Sequence, residues 1–373
     1  MRRRALLSQS GKKLFVIDID KYMTMEALSG GLKAKLTVSA CQYCVDGDGD
    51  WKDLPADTFT EFVEEGHFLS FKATGLKPNS TNGIGTFVTA DDVAYQFNLR
   101  GNCMAMLYGD EAEDYVSIPN YGFYKLFRSN TGLQSVSEEF IGATGVGNSG
   151  CRMMFYACTS LVNSPALPSR LNGAYCFYQM YYGCTSLTDA PELPATSLQV
   201  YCYAYMFYEC KALKNAPALP ATTLSTDCYS FMFSNCTGLT TAPVLPATTM
   251  KAYCYRRMFA GCSNLTSTPS LPSTTLANNC YSYMFYGCSK ITSITLPATT
   301  LITECYHRML YNCSSLNYIT ALFTTIPGES NALYQWVYGV AKTGTFVKAV
   351  DATWDVTGTS GVPEGWTIET ATA

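Results

Sequence analysis

The sequence predicts an α/β solenoid: stacked 26-residue coils, each with one short strand and one short helix, preceded by a small β-sandwich-like domain. Three observations carry that expectation. Cysteines recur at Cys158, Cys184, Cys210, Cys236, Cys262, Cys288 and Cys313, at spacings of 26 and finally 25. A companion series, Cys176, Cys202, Cys228, Cys254, Cys280 and Cys305, runs eight residues ahead of it. Between these repeats lies a stretch that alternates apolar and polar residues, as in Ser293-Ile294-Thr295-Leu296. A fixed period of this length is the signature of a repeat architecture.

The helix is expected between the two cysteines. At about 100° per residue, Cys280, Tyr281, Met284, Phe285 and Cys288 fill one arc, and these positions are constant between units. Ser282, Tyr283, Tyr286 and Gly287 fall on the other side and vary. Such a segment is amphipathic, with its constant side in the core. Thr222, Thr248 and Thr274 stand where they would cap the helix start. Gly183, Asn235, Gly261, Gly287 and Asn312 stand where a left-handed stop would fall.

The strand half carries proline in five units, at Pro165, Pro191, Pro217, Pro243 and Pro269. Proline cannot donate to a ladder, so the sheet is expected to be short or bulged there. Loss of that proline produces the final spacing of 25. Degenerate copies flank the array: asparagine fills the cysteine slot at Asn130 and valine at Val340. Atypical end units are what a solenoid needs to close its core.

The organisation expected is a basic N-terminal arm over 1–30, a β-rich anchoring domain over 31–122, a solenoid over 123–340 and a β-rich C-terminal cap over 341–373. Arg2, Arg3, Arg4, Lys12 and Lys13 make the arm a docking element for an acidic partner. Leu32–Ser39, His67–Ala73, Gly85–Val88 and Tyr95–Leu99 supply short alternating runs between turn-rich stretches. Gly344–Val347, Trp354 and Trp366 mark the cap.

The string Met-Phe-x-Gly-Cys-x-Ser-Leu, followed by Leu-Pro and Cys-Tyr-x-x-Met-Phe, resembles the BspA-like leucine-rich repeats over residues 124–340. This chain reads Met-Phe and Cys-Tyr where the family reads Ala-Phe and Ile-Gly, and its period is longer. The resemblance implies leucine-rich-repeat-type coils and, as in several family members, adhesion to host proteins or cells.

The chemistry-bearing residues fit that picture. Net charge is −4, with 25 Lys and Arg against 29 Asp and Glu, which argues against a nucleic-acid binder. No apolar run is long enough for a membrane span. The 17 cysteines read as buried free thiols, because histidine partners number only two. The lone Cys41-Gln42-Tyr43-Cys44 reads as structural. Asp46-Gly47-Asp48-Gly49-Asp50 resembles a calcium loop, but Trp51 stands where glycine is required and Asp57 where glutamate is. It reads as a tight acidic turn. No phosphate loop, nucleophile elbow or zincin motif is present. The expectation is a non-enzymatic protein without cofactor or metal, in which His67 and His307 have no catalytic role.

The variable slots point to a binding wall made of Gln179, Tyr182, Tyr205, Tyr208, Arg256, Arg257, Tyr283, Tyr286, His307, Arg308 and Tyr311. Tyrosine and arginine offer large, stiff contact area and dominate interface hot spots. Residues three apart share a helix face, so Tyr205–Tyr208, Tyr283–Tyr286 and Arg308–Tyr311 are expected to stand together. The opposite face offers only Glu192, Ala218, Val244 and Ser270. The function expected is an adhesin or receptor-binding component, a phage tail or other virion protein among the options. Its partner would be a protein or glycan on a host cell, and it would be homo-oligomeric if virion-borne. The alternative is a scaffold contacting sister subunits. The start, Met1–Gln9, lacks the apolar run of a secretory leader. The expected location is therefore a virion, or the cytoplasm until lysis, with the bacterial cell surface as the alternative.

Overall fold

A computed structural model describes residues 18, 20–89, 95–328 and 330–372. The basic cluster Arg2 to Lys13 lies outside the described residues.

The N-terminal part contains β1 (Met23–Ser29), β2 (Ala34–Leu36), β3 (Cys41–Val45), β4 (Lys52–Leu54), β5 (Phe68–Lys72), β6 (Phe87–Thr89) and β7 (Gln96–Arg100). Then come a single helical turn at Ala105–Tyr108 and a 3-10 turn at Gly109–Asp114. The strand β9 (Leu133–Val136) joins a six-stranded sheet in the order β4-β3-β5-β1-β7-β9, while β2 and β6 pair separately. The two sheets are unequal, and Phe71 of the larger meets Phe87 of the smaller edge to face at 4.9 Å. Residue 30 is not the end of an arm: β1 is a central strand, and Met23, Met25 and Ala27 are buried between β5 and β7.

Pairing of β7 with β9 is parallel, and β9 already belongs to the first coil. The N-terminal sheet therefore runs directly into the repeats. Each coil has three sides. One carries β8 (Ser117–Ile118), β10 (Gly145–Val146) and β11 (Arg170–Leu171), and later only single bridges such as Ser197 to Thr223 and Thr249 to Thr275. A second carries β9 and, further on, β12 (Ser293–Leu296), β13 (Tyr318–Ala321), β14 (Thr345–Lys348) and β15 (Thr367–Thr370), all parallel. In the proline-bearing coils this second side shows no strand, only the bridge Asn215 to Thr241. Regular strand begins at β12, where the proline is missing. The missing N–H is the cause, as expected.

The third side corrects the expected helix. Between the cysteine rows the chain forms no α-helix but a ribbon of overlapping turns. In the coil 201–209, the N–H groups of Tyr201, Tyr203, Tyr205, Phe207 and Glu209 cross to the carbonyls of Thr226, Cys228, Ser230, Met232 and Ser234. The alternate N–H groups of Ala204, Met206, Tyr208 and Cys210 bond to the carbonyls three residues back. An α-helix would spend its interior N–H groups on carbonyls four residues back and leave none for a neighbour. The backbone is left-handed at every fourth residue, with φ of 54° at Tyr201, 57° at Tyr205 and 61° at Glu209. Gly183, Asn235, Gly261, Gly287 and Asn312 do adopt positive φ, but as members of that series rather than as helix stops. Thr222, Thr248 and Thr274 are exposed and precede no helix.

Left-handed geometry costs a bulky residue roughly 1–2 kcal/mol. The coil offsets this with ladder bonds and burial: five N–H···O bonds cross each junction on this side alone. Inward rows pack beneath. Phe127, Phe155, Tyr181, Phe207, Phe233, Phe259 and Phe285 form one column, with stacked ring centres 5.5–5.8 Å apart. Phe177, Tyr203, Tyr229, Tyr255, Tyr281 and Tyr306 form another, at 5.6–6.0 Å. A leucine row from Leu161 to Leu265 is fully buried. Burying one such side chain contributes about 1.5–3 kcal/mol.

All 17 cysteines are free and buried. The second row has a specific role: Cys184 Sγ donates to the carbonyl of Phe155 at 3.1 Å, Cys210 to Tyr181 at 3.2 Å and Cys236 to Phe207 at 2.9 Å. Each thiol thus fills a second lone pair on a carbonyl of the preceding coil. Asn130 does the same at the array's start, its amide donating to Phe127 and to Phe87 of the N-terminal domain. Burial pushes the Cys158 and Cys262 thiols up to about 12, so the donors keep their protons. At the other end Trp336, Trp354 and Trp366 donate their indole N–H groups to Gly361, Phe323 and Ala341. No helix among the described residues is long and apolar enough to cross a membrane.

Candidate functional site: a wall of turns

A ribbon with a period of four has four rows. The two rows holding cysteine with methionine, and tyrosine with phenylalanine, face inward. The other two face outward and form the wall. Gln179, Tyr182, Tyr205, Tyr208, Arg256, Arg257, Tyr283, Tyr286, His307, Arg308 and Tyr311 all lie on it, and all are half-buried.

The expected pairs do come together. Ring centres are 5.8 Å apart in Tyr205–Tyr208 and 6.0 Å in Tyr283–Tyr286, and the Arg308 guanidinium lies 5.8 Å from the Tyr311 ring. Contacts along the stack are closer still. Tyr182 stacks on Tyr208 at 4.6 Å, and Tyr286 on Tyr311 at 4.9 Å. The column is interrupted where Ser234 and Ala260 replace tyrosine, and there the Asn235 amide donates to the Tyr208 hydroxyl at 3.1 Å. Stacked aromatic pairs contribute about 0.5–1.5 kcal/mol beyond area burial. The wall is accordingly stiff before any ligand arrives.

Cations are fixed on ring faces. Arg257 lies 4.3 Å from the Tyr283 centre, Arg256 lies 5.5 Å from Tyr253, and Arg308 lies 5.3 Å from Tyr334. His307 sits between Tyr283 and Tyr334, with ring centres 5.2 and 5.1 Å away. Burial lowers its pKa below the usual imidazole value. Gln179 Oε1, Arg256 Nε, Arg257 Nε and His307 Nδ1 are buried on the wall without a hydrogen-bond partner.

The wall is wider than the sequence indicated. Tyr175 stacks on Tyr201 at 4.9 Å, and Arg152 lies over Tyr124, Tyr175 and Tyr178 at 5.1–5.6 Å. Tyr175, Tyr201 and Tyr253 precede the first cysteine by one residue, outside a frame drawn from cysteine to cysteine. Their variation from coil to coil was the available signal. The opposite face is exposed at Glu192, Ala218, Val244 and Ser270.

The other chemistry-bearing residues lie elsewhere. His67 Nδ1 meets Asp46 Oδ2 at 2.5 Å in the N-terminal domain. Asp46 to Asp50 form a turn in which the Asp50 N–H is bonded by Asp48 Oδ1 at 2.9 Å. Cys41 and Cys44 are buried in β3. Among the described residues, no group of three or more His, Cys, Asp or Glu side chains is placed to hold a metal.

Comparison with known proteins gives one match and two blanks. The BspA type leucine-rich repeat region matches in six copies, over residues 151–266 and 245–335. No curated protein and no solved structure matches the chain. Leu161, Leu187 and Leu213, fully buried beneath the turns, fall within the matched residues. The chain belongs to the BspA-type leucine-rich repeat family through this region.

Proposed function

We propose that this is a non-enzymatic binding protein whose ligand face is the turn-lined wall, acting as an adhesin or receptor-binding component. One observation carries the reading: the inward rows are constant from coil to coil, while the wall above them changes and is built of pre-stacked tyrosine and arginine. A stiff aromatic surface binds with little loss of side-chain freedom. The family match supports protein–protein or surface binding. Seventeen free thiols support assembly in a reducing compartment, as for a virion part released at lysis.

The test is alanine substitution of Tyr205 with Tyr208, and of Tyr283 with Tyr286, followed by binding to host cells. Loss of at least tenfold in affinity is expected of a ligand face, with the native circular dichroism spectrum retained at the assay temperature although the lost stacking lowers the melting temperature. The scaffold alternative draws support from Val244, 75% exposed on the opposite face. It gains if cell binding survives both pairs of substitutions and self-assembly fails instead.

A further inference from the structure

The wall is not uniform along its length. Toward its C-terminal end Arg257 and Arg308 occupy the same row two coils apart, flanking Tyr283 at 4.3 and 5.8 Å. Arg308 is held further by Nε donating to Gln335 Oε1 at 3.0 Å and a terminal nitrogen donating to Tyr283 Oη at 3.3 Å. Neither guanidinium has a carboxylate partner: all ion pairs among the described residues lie between residues 26 and 110. Two acids lie near this end: buried Asp227, whose carboxylate accepts from the Ser230 hydroxyl at 2.8 Å, and Glu304, whose charge reaches His307. A ring face holds a cation without neutralising it, so the outer N–H groups of both guanidiniums keep their capacity for an anion. In a chain of net charge −4, two such fixed and unpaired cations call for a ligand.

The surroundings narrow its kind. Tyr286, Tyr311 and Tyr338 stack on one another at 4.9 and 4.6 Å, which closes the faces between them and leaves ring edges and hydroxyls toward solvent. A neutral sugar that lies flat on an aromatic face finds none vacant inside that column, and only the end ring Tyr338 beyond it. A peptide that adds as a strand finds no free N–H row, because alternate N–H groups bond to the next coil or three residues back. What is offered is a line of hydroxyls interrupted by two cations. We propose that Arg257, Tyr283, Arg308 and Tyr311 form a subsite for an acidic polysaccharide, with the guanidinium forks taking its carboxylates and the tyrosine hydroxyls its hydroxyl groups. Planar forks match planar carboxylates. The proposal rests on the wall being the ligand face and names the ligand class for one end of it.

The experiment titrates the full chain with an end-labelled oligogalacturonate of ten residues at pH 7 and low salt, read by fluorescence polarisation. A decaglutamate peptide and a neutral maltooligosaccharide of equal length serve as comparisons. Oligogalacturonate is expected to bind, at least tenfold more tightly than either comparison. Raising salt from 50 to 500 mM should weaken it about tenfold. Arg257→Gln and Arg308→Gln should each weaken it by about tenfold, with Arg257→Lys recovering part of the loss. If a glutamine variant fails to fold, the lysine variant and the salt series carry the test. Equal binding of decaglutamate, or glutamine variants that bind as the parent does, overturns the polysaccharide assignment. If oligogalacturonate does not bind while the tyrosine-to-alanine pairs still abolish cell attachment, this inference falls and the ligand face stands. If the arginine variants abolish oligogalacturonate binding while the alanine pairs leave cell attachment intact, the subsite stands and the adhesin reading falls.

Discussion

At the scale of single residues, the second cysteine row is the most informative. A small apolar side chain would fill the space, but the thiol also donates to a carbonyl of the coil below. Cys236→Ala should therefore lose about 1–3 kcal/mol in urea unfolding, for a lost bond and a small void. Protonation follows from the same burial. In the unfolded chain a thiol ionises near 9; in the fold, Cys176 and Cys305 are pushed up to about 11 and Cys158 to about 12. Between those values the unfolded state has released protons that the native state retains. Stability must fall as pH rises above about 9, by up to about 1.4 kcal/mol per pH unit for each thiol. Many thiols titrating together make steep alkaline unfolding the expected result, read by circular dichroism against pH. A flat profile to pH 11 would contradict buried, protonated rows. At neutral pH a thiol reagent should label none of the 17 within minutes in the native state and all of them in denaturant.

At the scale of the element, the ribbon of turns shows where sequence reasoning succeeds and stops. A helical wheel spread Cys280, Met284 and Cys288 over about 80° of arc, yet a period of four sets them on a single line. Nine residues are too few to separate a period of 3.6 from one of four. The inward and outward assignments survived because both periods sort the same residues. The left-handed positions were legible at glycine and asparagine, as at Gly261 and Asn235, but not at Tyr205 or Arg257, whose side chains do not advertise positive φ. At the site, pairs three residues apart were legible, whereas stacking from coil to coil, as in Tyr182 on Tyr208, needed the coil spacing. Two glycines of one row separate backbone strain from crowding. A Cβ on Gly261 would stand 2.2 Å from Asn235 Oδ1, whereas one on Gly287 meets nothing nearer than Gly261 at 3.9 Å. Gly287→Ala should lose about 1 kcal/mol, the left-handed cost alone. Gly261→Ala should lose more unless the Asn235 amide moves aside. Equal losses in chemical denaturation would refute the crowding argument.

At the scale of the whole molecule, stability is a sum over neighbouring coils, so the ends matter most. The first coil is closed by the N-terminal domain, where the Phe87 N–H bonds the Leu126 carbonyl at 2.7 Å. The last is closed by Thr359, whose carbonyl takes the Val337 N–H, and by the three indoles. Removing residues 341–372 strips β14, β15, Trp354 and Trp366 and uncovers Phe323 and Trp336. The expected outcome is a lower melting temperature with loss of a single sharp transition, measured by calorimetry. On the turn side every backbone bond between coils runs one way, from an N–H to a carbonyl nearer the C-terminus. Peptide dipoles aligned over so many layers add up as they do along a helix. That side therefore carries its negative end toward the domain that holds Phe87 and its positive end near Trp336. The other sides oppose it, with N–H groups such as those of Val162, Thr188 and Thr240 bonded to carbonyls of the preceding coil, so each coil is clamped to its neighbours by donors pointing both ways.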